Sequence, residues 1–108
     1  MSVELPAPIA GYIAAETAGE TEGLGQFFAD SAVVLDEGRT IKGLAAIKQW
    51  KAETKRKYHH TVAPLRSVQK DDTTTVTCRL TGDFPGSPVD LDFTFRVEND
   101  KITSLEIR

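Results

Sequence analysis

The residues able to do chemistry are few, and two of them suit proton transfer. Asp36 closes the apolar run Ala32-Val33-Val34-Leu35 and shares a strand face with Ala32 and Val34. A carboxylate among apolar neighbours loses hydration, which raises its pKa and makes it a better base near neutral pH. Asp36 also precedes Glu37-Gly38, so its other reading is a turn-forming aspartate at a strand end. Tyr12 falls with Ile9, Ile13 and Glu16 at i, i+3, i+4 and i+7, on the inward face of a helix. There it is either a core aromatic or a hydrogen-bond donor to a ligand. His59 and His60 are neighbours on a predicted strand and point to opposite faces, so at most one sees the interior; with Val62 as its companion, His60 is the candidate. Adjacent strand histidines do not converge on one ion, and no further His and no nearby Cys accompanies them, so no metal is expected. Cys78, the single cysteine, lies on an apolar strand face and reads as an inert buried thiol with no internal disulfide. No Ser-His-Asp arrangement, glycine-rich phosphate loop or cofactor motif occurs, and no cofactor is expected.

The elements that position these residues divide into two regimes. As far as Tyr58 the chain is rich in Ala, Glu and Lys at helical spacing; beyond it Thr, Val and Phe alternate with polar residues. Leu5-Pro6-Ala7-Pro8 opens a first helix that Gly19 ends. A second, shorter helix carries Leu24, Phe27 and Phe28 as its buried stripe, weakened by Gly23 and Gly25. Residues 32–36 and 40–42 read as strand pieces joined by Glu37-Gly38-Arg39. After Gly43 a third helix presents Leu44, Ile47, Trp50 and Lys51 on one face, Lys51 snorkelling along its edge, with Lys48, Glu53 and Lys55 facing water. Four strands follow, over roughly 58–69, 74–82, 88–98 and 101–107, with turns at Asp71-Asp72 and Asn99-Asp100. Val76, Cys78 and Leu80 form one apolar face with Val89, Leu91, Phe93, Phe95 and Val97; Thr77, Arg79, Asp90, Asp92 and Thr94 form the polar face. Arg79 is placed to pair with Asp90 or Asp92. The connection Phe84-Pro85-Gly86-Ser87-Pro88 is either a proline-stiffened link or an apolar lip over a pocket or a dimer partner. The chain reads as one α+β domain over residues 1–108.

Composition narrows the function. With 108 residues, 40% hydrophobic and 27% charged, the chain is sized for one core. A net charge of −3 removes any bulk electrostatic case for nucleic acid or anionic membrane. The basic excess from Lys48 to Lys57 is interrupted by Glu53 and reads as a solvated helix face. Met1 to Ile9 has no basic region followed by a long apolar run, and no stretch approaches a membrane span, so a cytoplasmic protein is expected.

Two runs carry a family resemblance. Phe27-Phe28-Ala29-Asp30-Ser31-Ala32-Val33-Val34, followed by Gly43-Leu44-Ala45-Ala46-Ile47-Lys48-Gln49-Trp50, resembles the F-A-D-D-A…G-x-x-A-I-x-x-W signature of the nuclear transport factor 2-like superfamily. That superfamily includes steroid Δ-isomerases and SnoaL-like polyketide cyclases. Phe93-Thr94-Phe95-Arg96-Val97 and Asp100-Lys101-Ile102 resemble its closing hairpin, and the likeness runs from Ile9 to Ile107. It implies a cone-shaped curved antiparallel sheet wrapped around three N-terminal helices, with an apolar pocket at the wide end and a homodimer through the outer sheet face. It also implies roles: Tyr12 falls on the isomerases' tyrosine donor and Asp36 on their general base. The position of their second, aspartic donor is taken by Phe93, and Asp90 and Asp92 face the other way unless a bulge intervenes. The expected site is therefore Asp36 and Tyr12 for catalysis, with Val34, Trp50, His60, Phe93 and Phe95 against a hydrophobic small molecule. The expected activity is a cofactor-free proton transfer, isomerase- or cyclase-like, on a hydrophobic carbonyl compound. The alternative is a non-catalytic ligand-binding or dimerisation module of the same fold; hydration or dehydration chemistry is a third branch.

Overall fold

A computed structural model describes residues 5–108; the first four residues, which begin the segment read above as lacking a leader, lie outside the description. Helix α1 (Ala7–Ala18) starts with proline in its first turn and stops at Gly19, whose φ of 76° is left-handed. The Gly19 N–H donates to the Glu16 carbonyl and the Glu20 N–H to the Ala15 carbonyl, closing the helix end. Helix α2 (Leu44–Tyr58) ends with Lys55, Arg56 and Lys57 in its last turn, where the helix dipole favours cations.

Six strands form one sheet: β1 (Phe28–Asp36), β2 (Arg39–Lys42), β3 (Thr61–Lys70), β4 (Thr73–Thr81), β5 (Val89–Glu98) and β6 (Lys101–Ile107), in spatial order β2-β1-β6-β5-β4-β3. The turns Glu37-Gly38 and Asn99-Asp100 hold positive φ at both residues, the geometry that matches strand twist in two-residue hairpins. Register shifts in the β3–β4, β5–β6 and β1–β6 pairings bend the sheet around the helices. Tyr12, Phe28 and Phe95 meet edge to face in the core between sheet and α1, at ring separations of 5.2 and 5.8 Å.

The architecture differs from the sequence-based expectation in three places. The second helix is a five-residue 3₁₀ turn, Glu22–Gln26, because two glycines in so short a segment cannot sustain an α-helix. Phe28 consequently opens β1 rather than closing a helical stripe. The sheet is not wholly antiparallel: β1 runs parallel to β6, since the chain returns to it from the far end of the β3–β6 meander. His59 belongs to neither strand face; it caps α2 with a left-handed φ of 49°. On the outer sheet face Arg79 pairs with Asp90 at 2.9 Å, and Thr77 donates to Asp92 at 2.7 Å. None of the described helices is long and apolar enough to cross a membrane.

Candidate functional site

The end of β1, one face of α2 and the inner side of the β4–β6 sheet enclose a cavity of about 310 Å³, within the range of small-molecule sites. Trp50, Thr54 and Tyr58 project into it at successive helical turns. Leu80, Leu91, Phe93 and Ile107 make its apolar wall, and Phe84, Pro85 and Val89 stand at the lip. Phe84 is held there by edge contact with Tyr58 at 5.8 Å. The polar residues lining this volume are Glu16, Asp36, Glu37, Lys51, Thr54, Tyr58 and His60.

Asp36 is half-buried, and its Oδ2 accepts a hydrogen bond from the Trp50 indole N–H at 3.1 Å. Burial raises its pKa above the ordinary carboxylate value; the Trp50 bond and the Lys51 charge oppose that, while Glu37 and Glu16 add to it. The side chain thus serves the cavity wall, and its recorded partner is an indole rather than the turn backbone.

Lys51, against the same indole, belongs to a buried ionic cluster. Glu16 Oε1 accepts from Lys51 Nζ and sits 2.7 Å from His60 Nε2. Burial alone would raise the Glu16 pKa, but the Lys51 ammonium and the hydrogen bonds to His60 and Lys51, with the Tyr12 hydroxyl nearby, outweigh it and hold the carboxyl at about 2. Lys51 Nζ also lies 4.0 Å from the Trp50 ring centre. Glu16 Oε2 and His60 Nδ1 are buried without hydrogen-bond partners.

The structure brings Asp36, Trp50, His60 and Phe93 to one cavity, and it places Tyr12, Val34 and Phe95 elsewhere: each is fully buried in the core beneath it. The reason is local. The Tyr12 ring is fixed between Phe28 and Phe95, so Glu16, one turn further along α1, reaches the cavity instead. No hydrogen bond of ordinary geometry reaches the Tyr12 hydroxyl, although Glu16 is near enough to matter: burial first and that charge second raise its pKa well above the usual 10. Phe93 occupies the wall as an apolar residue, and no bulge turns Asp90 or Asp92 inward. Cys78 is buried in the core, its pKa raised to about 12 by burial. His59 is exposed and pairs with Asp83 at 3.1 Å. Among the described residues no three His, Cys, Asp or Glu side chains converge in a metal-binding group.

The charged cavity-lining residues that the sequence reading did not place in the site include Glu16 and Lys51. Their signal was present: a carboxylate at i+7 of the apolar stripe of α1, and a lysine beside Trp50 on the buried face of α2.

A curved sheet folded over two helices, with a ligand-sized cavity between them, is the nuclear transport factor 2-like architecture, also described as a cystatin-like fold. Within that class the model of the SnoaL-like domain family matches residues 9–105, and the chain belongs to that family. A candidate polyketide cyclase from Sinorhizobium meliloti is 36% identical, with 96% of this chain and 95% of that one superposed at a TM-score of 0.93. A protein of ketosteroid isomerase-like fold from Catenulispora acidiphila, solved with trimethylamine, is 24% identical over 97% of this chain and 86% of its own, with a TM-score of 0.84. An epoxide hydrolase/cyclase-like enzyme of pyran-ring formation in the polyether salinomycin is 16% identical over 94% and 86%, with a TM-score of 0.80. No curated protein matches the chain.

Asp36→Asn separates a cavity carboxylate from a turn carboxylate by the sign of one measurement. The raised pKa means that the ionised form subtracts from stability at neutral pH, and that this penalty disappears as pH falls below the ordinary aspartate value. The amide keeps an acceptor for the Trp50 N–H, so denaturant melts at pH 7 should show the variant equal to or more stable than wild type. A turn role would instead cost about 1 kcal/mol on losing one acceptor oxygen.

Proposed function

We propose that the cavity binds a hydrophobic carbonyl compound and that Asp36 moves a proton on it without a cofactor, in an isomerase- or cyclase-type reaction. The observation that carries this reading is the half-buried Asp36 carboxylate, its pKa raised by burial, held by the Trp50 indole on the wall of an otherwise largely apolar, ligand-sized cavity. The 36% likeness to a candidate polyketide cyclase over nearly all of both chains supports it. A second reading, a ligand-binding module without catalysis, is favoured by one observation: Tyr12 and Phe93 supply no oxygen-binding donor to the cavity.

The test is deuterium exchange of the α-hydrogens of a panel of hydrophobic ketones, followed by NMR in heavy water. Wild type should accelerate exchange for members that bind, and Asp36→Asn should lose on the order of 10²–10⁴ of that acceleration. Binding is read independently from Trp50, the chain's single tryptophan and a lining residue. Binding without exchange would establish the second reading.

We further propose that the partner of the outer sheet face is a second copy of the chain. That face carries Thr75, Thr77, Arg79, Asp92 and Thr94, together with the exposed apolar side chains of Val68 and Leu35. Light scattering should return the dimer mass, and Val68→Lys should shift it toward the monomer. A monomer at high concentration would return this face to solvent.

A further inference from the structure

We propose that Lys51 is the oxygen-binding group of the cavity: a ligand oxygen that becomes anionic sits against its ammonium, and the site selects apolar molecules that carry one such oxygen, enolates and phenolates. The assignment rests on the cavity reading above and adds the group that the reading leaves unfilled.

The placement follows from α2. Trp50 and Lys51 are consecutive and both line the cavity. The Trp50 N–H holds Asp36 at 3.1 Å, while Lys51 Nζ lies 4.0 Å from the centre of the same indole. One aromatic plate therefore ties the carboxylate and the ammonium to a common wall. An ammonium has three N–H donors; among the described residues the acceptor recorded for Lys51 is Glu16 Oε1, which leaves donors for a ligand. The other candidates differ. Tyr12 is sealed in the core, Phe93 has no donor, and His60 has one ring nitrogen committed to Glu16 and the other without accessible surface. Thr54 gives its hydroxyl hydrogen to the Trp50 carbonyl, and Tyr58, against Phe84 at the lip, brings a neutral hydroxyl where an anionic oxygen calls for a cation.

Glu16 is the counterion of this buried lysine: its Oε1 accepts from Lys51 Nζ where little water reaches. A buried ion pair is weak evidence for stability, since apolar residues of equal volume hold a fold as well or better. What this one does is place a cation on the wall of an apolar cavity.

The chemistry balances without a further reactant. Asp36 takes the proton from the carbon beside the carbonyl, the C–H electron pair becomes the new C=C bond, and the carbonyl π pair moves onto oxygen. Negative charge passes from Asp36 to that oxygen, where Lys51 meets it. The oxygen pair then re-forms the carbonyl as the C=C pair takes the proton back from Asp36, at the same carbon or, in a β,γ-unsaturated ligand, at the γ-carbon of the extended enolate, and net charge in the cavity is constant throughout. Preorganised charge of this kind acts most strongly in a water-poor site.

The experiment uses 4-nitrophenol, whose phenolate is coloured, and nitrobenzene as its neutral counterpart, both titrated against Trp50 fluorescence. Asp36→Asn stands in for the protonated base. In that variant the phenolate should bind at least tenfold more tightly than nitrobenzene, and visible absorbance should show the bound phenol more ionised than the free phenol at the same pH. Removing Lys51 alone strands Glu16, so the comparison adds Glu16→Gln and Lys51→Met together; nitrobenzene affinity should stay within about threefold and the phenolate preference should vanish. If nitrobenzene binds but the preference is absent, or survives without Lys51, the Lys51 assignment falls while the cavity reading stands. If neither probe binds, both fall. Should the triple variant not fold, the ionisation readout on Asp36→Asn decides: a bound phenol less ionised than the free one overturns the proposal.

Discussion

Glu16→Ala should remove 3–5 kcal/mol of unfolding free energy, a large share of what a domain of this size possesses. Glu16 is buried, 5% exposed, and its carboxylate contacts both Lys51 Nζ and His60 Nε2, so its loss leaves the buried Lys51 without a counterion. Two controls isolate that cause. Glu16→Gln keeps the shape and an acceptor and should cost less. Glu16→Leu combined with Lys51→Met removes both charges and should restore most of the stability, because the cost lies in breaking the pair rather than in lacking it. The same cluster sets the acid response. The Glu16 pKa is lowered from 4.5 to about 2 on folding, so its contribution is complete above pH 4.5 and disappears as pH falls through 2. Over that window a shift of this size corresponds to roughly 3 kcal/mol. Urea melts at pH 7, 4.5, 3 and 2 should show wild type losing stability relative to the Leu/Met double variant as the pH falls; parallel curves would show that Glu16 is not the linked group.

Gly82→Ala should cost about 1–3 kcal/mol, the scale of overpacking against groups that cannot move, and should weaken ligand binding as well. A methyl group on Gly82 would stand 2.7 Å from the Tyr58 carbonyl oxygen and 2.9 Å from His60 Cα, both backbone atoms at the junction of α2 and β3. That carbonyl accepts the Asp83 N–H at 2.7 Å, so relieving the clash breaks a hydrogen bond and moves the base of the Phe84 lip. His60, on the cavity wall, moves with it. Gly23→Ala is the contrasting substitution: its methyl would meet a flexible glutamine side-chain nitrogen at 3.4 Å, and the lost chain entropy of glycine favours the variant. Chemical denaturation of the two variants, with nitrobenzene titrations of each, checks both halves. Equal stability of Gly82→Ala and wild type would mean that the α2–β3 junction yields more readily than packed backbone should.

Period alone determined the order of elements and the faces they bury, while the cone came from the family resemblance. The alternation along Val89–Val97 and Val76–Leu80 fixes which side of the sheet is buried, because a one-residue slip would turn every phenylalanine to water. Helical spacing likewise set the buried faces of α1 and α2, and Asp36 was placed on the cavity side by its parity with Ala32 and Val34. Three things needed the third dimension. Parallel pairing of β1 with β6 joins residues more than 70 positions apart, and no local pattern encodes such a partner. The choice between Tyr12 and Glu16 as the α1 residue reaching the cavity depends on how Phe28 and Phe95 clamp the tyrosine ring, which spacing on one helix does not record. Finally, spacing puts Lys51 on the apolar face of α2 but leaves its ammonium snorkelling along the edge, because a charge beside an apolar stripe normally escapes to water. Packing α1 against α2 puts Glu16 where that escape is unnecessary, and the pairing of two charges 35 residues apart is a property of the tertiary fold alone.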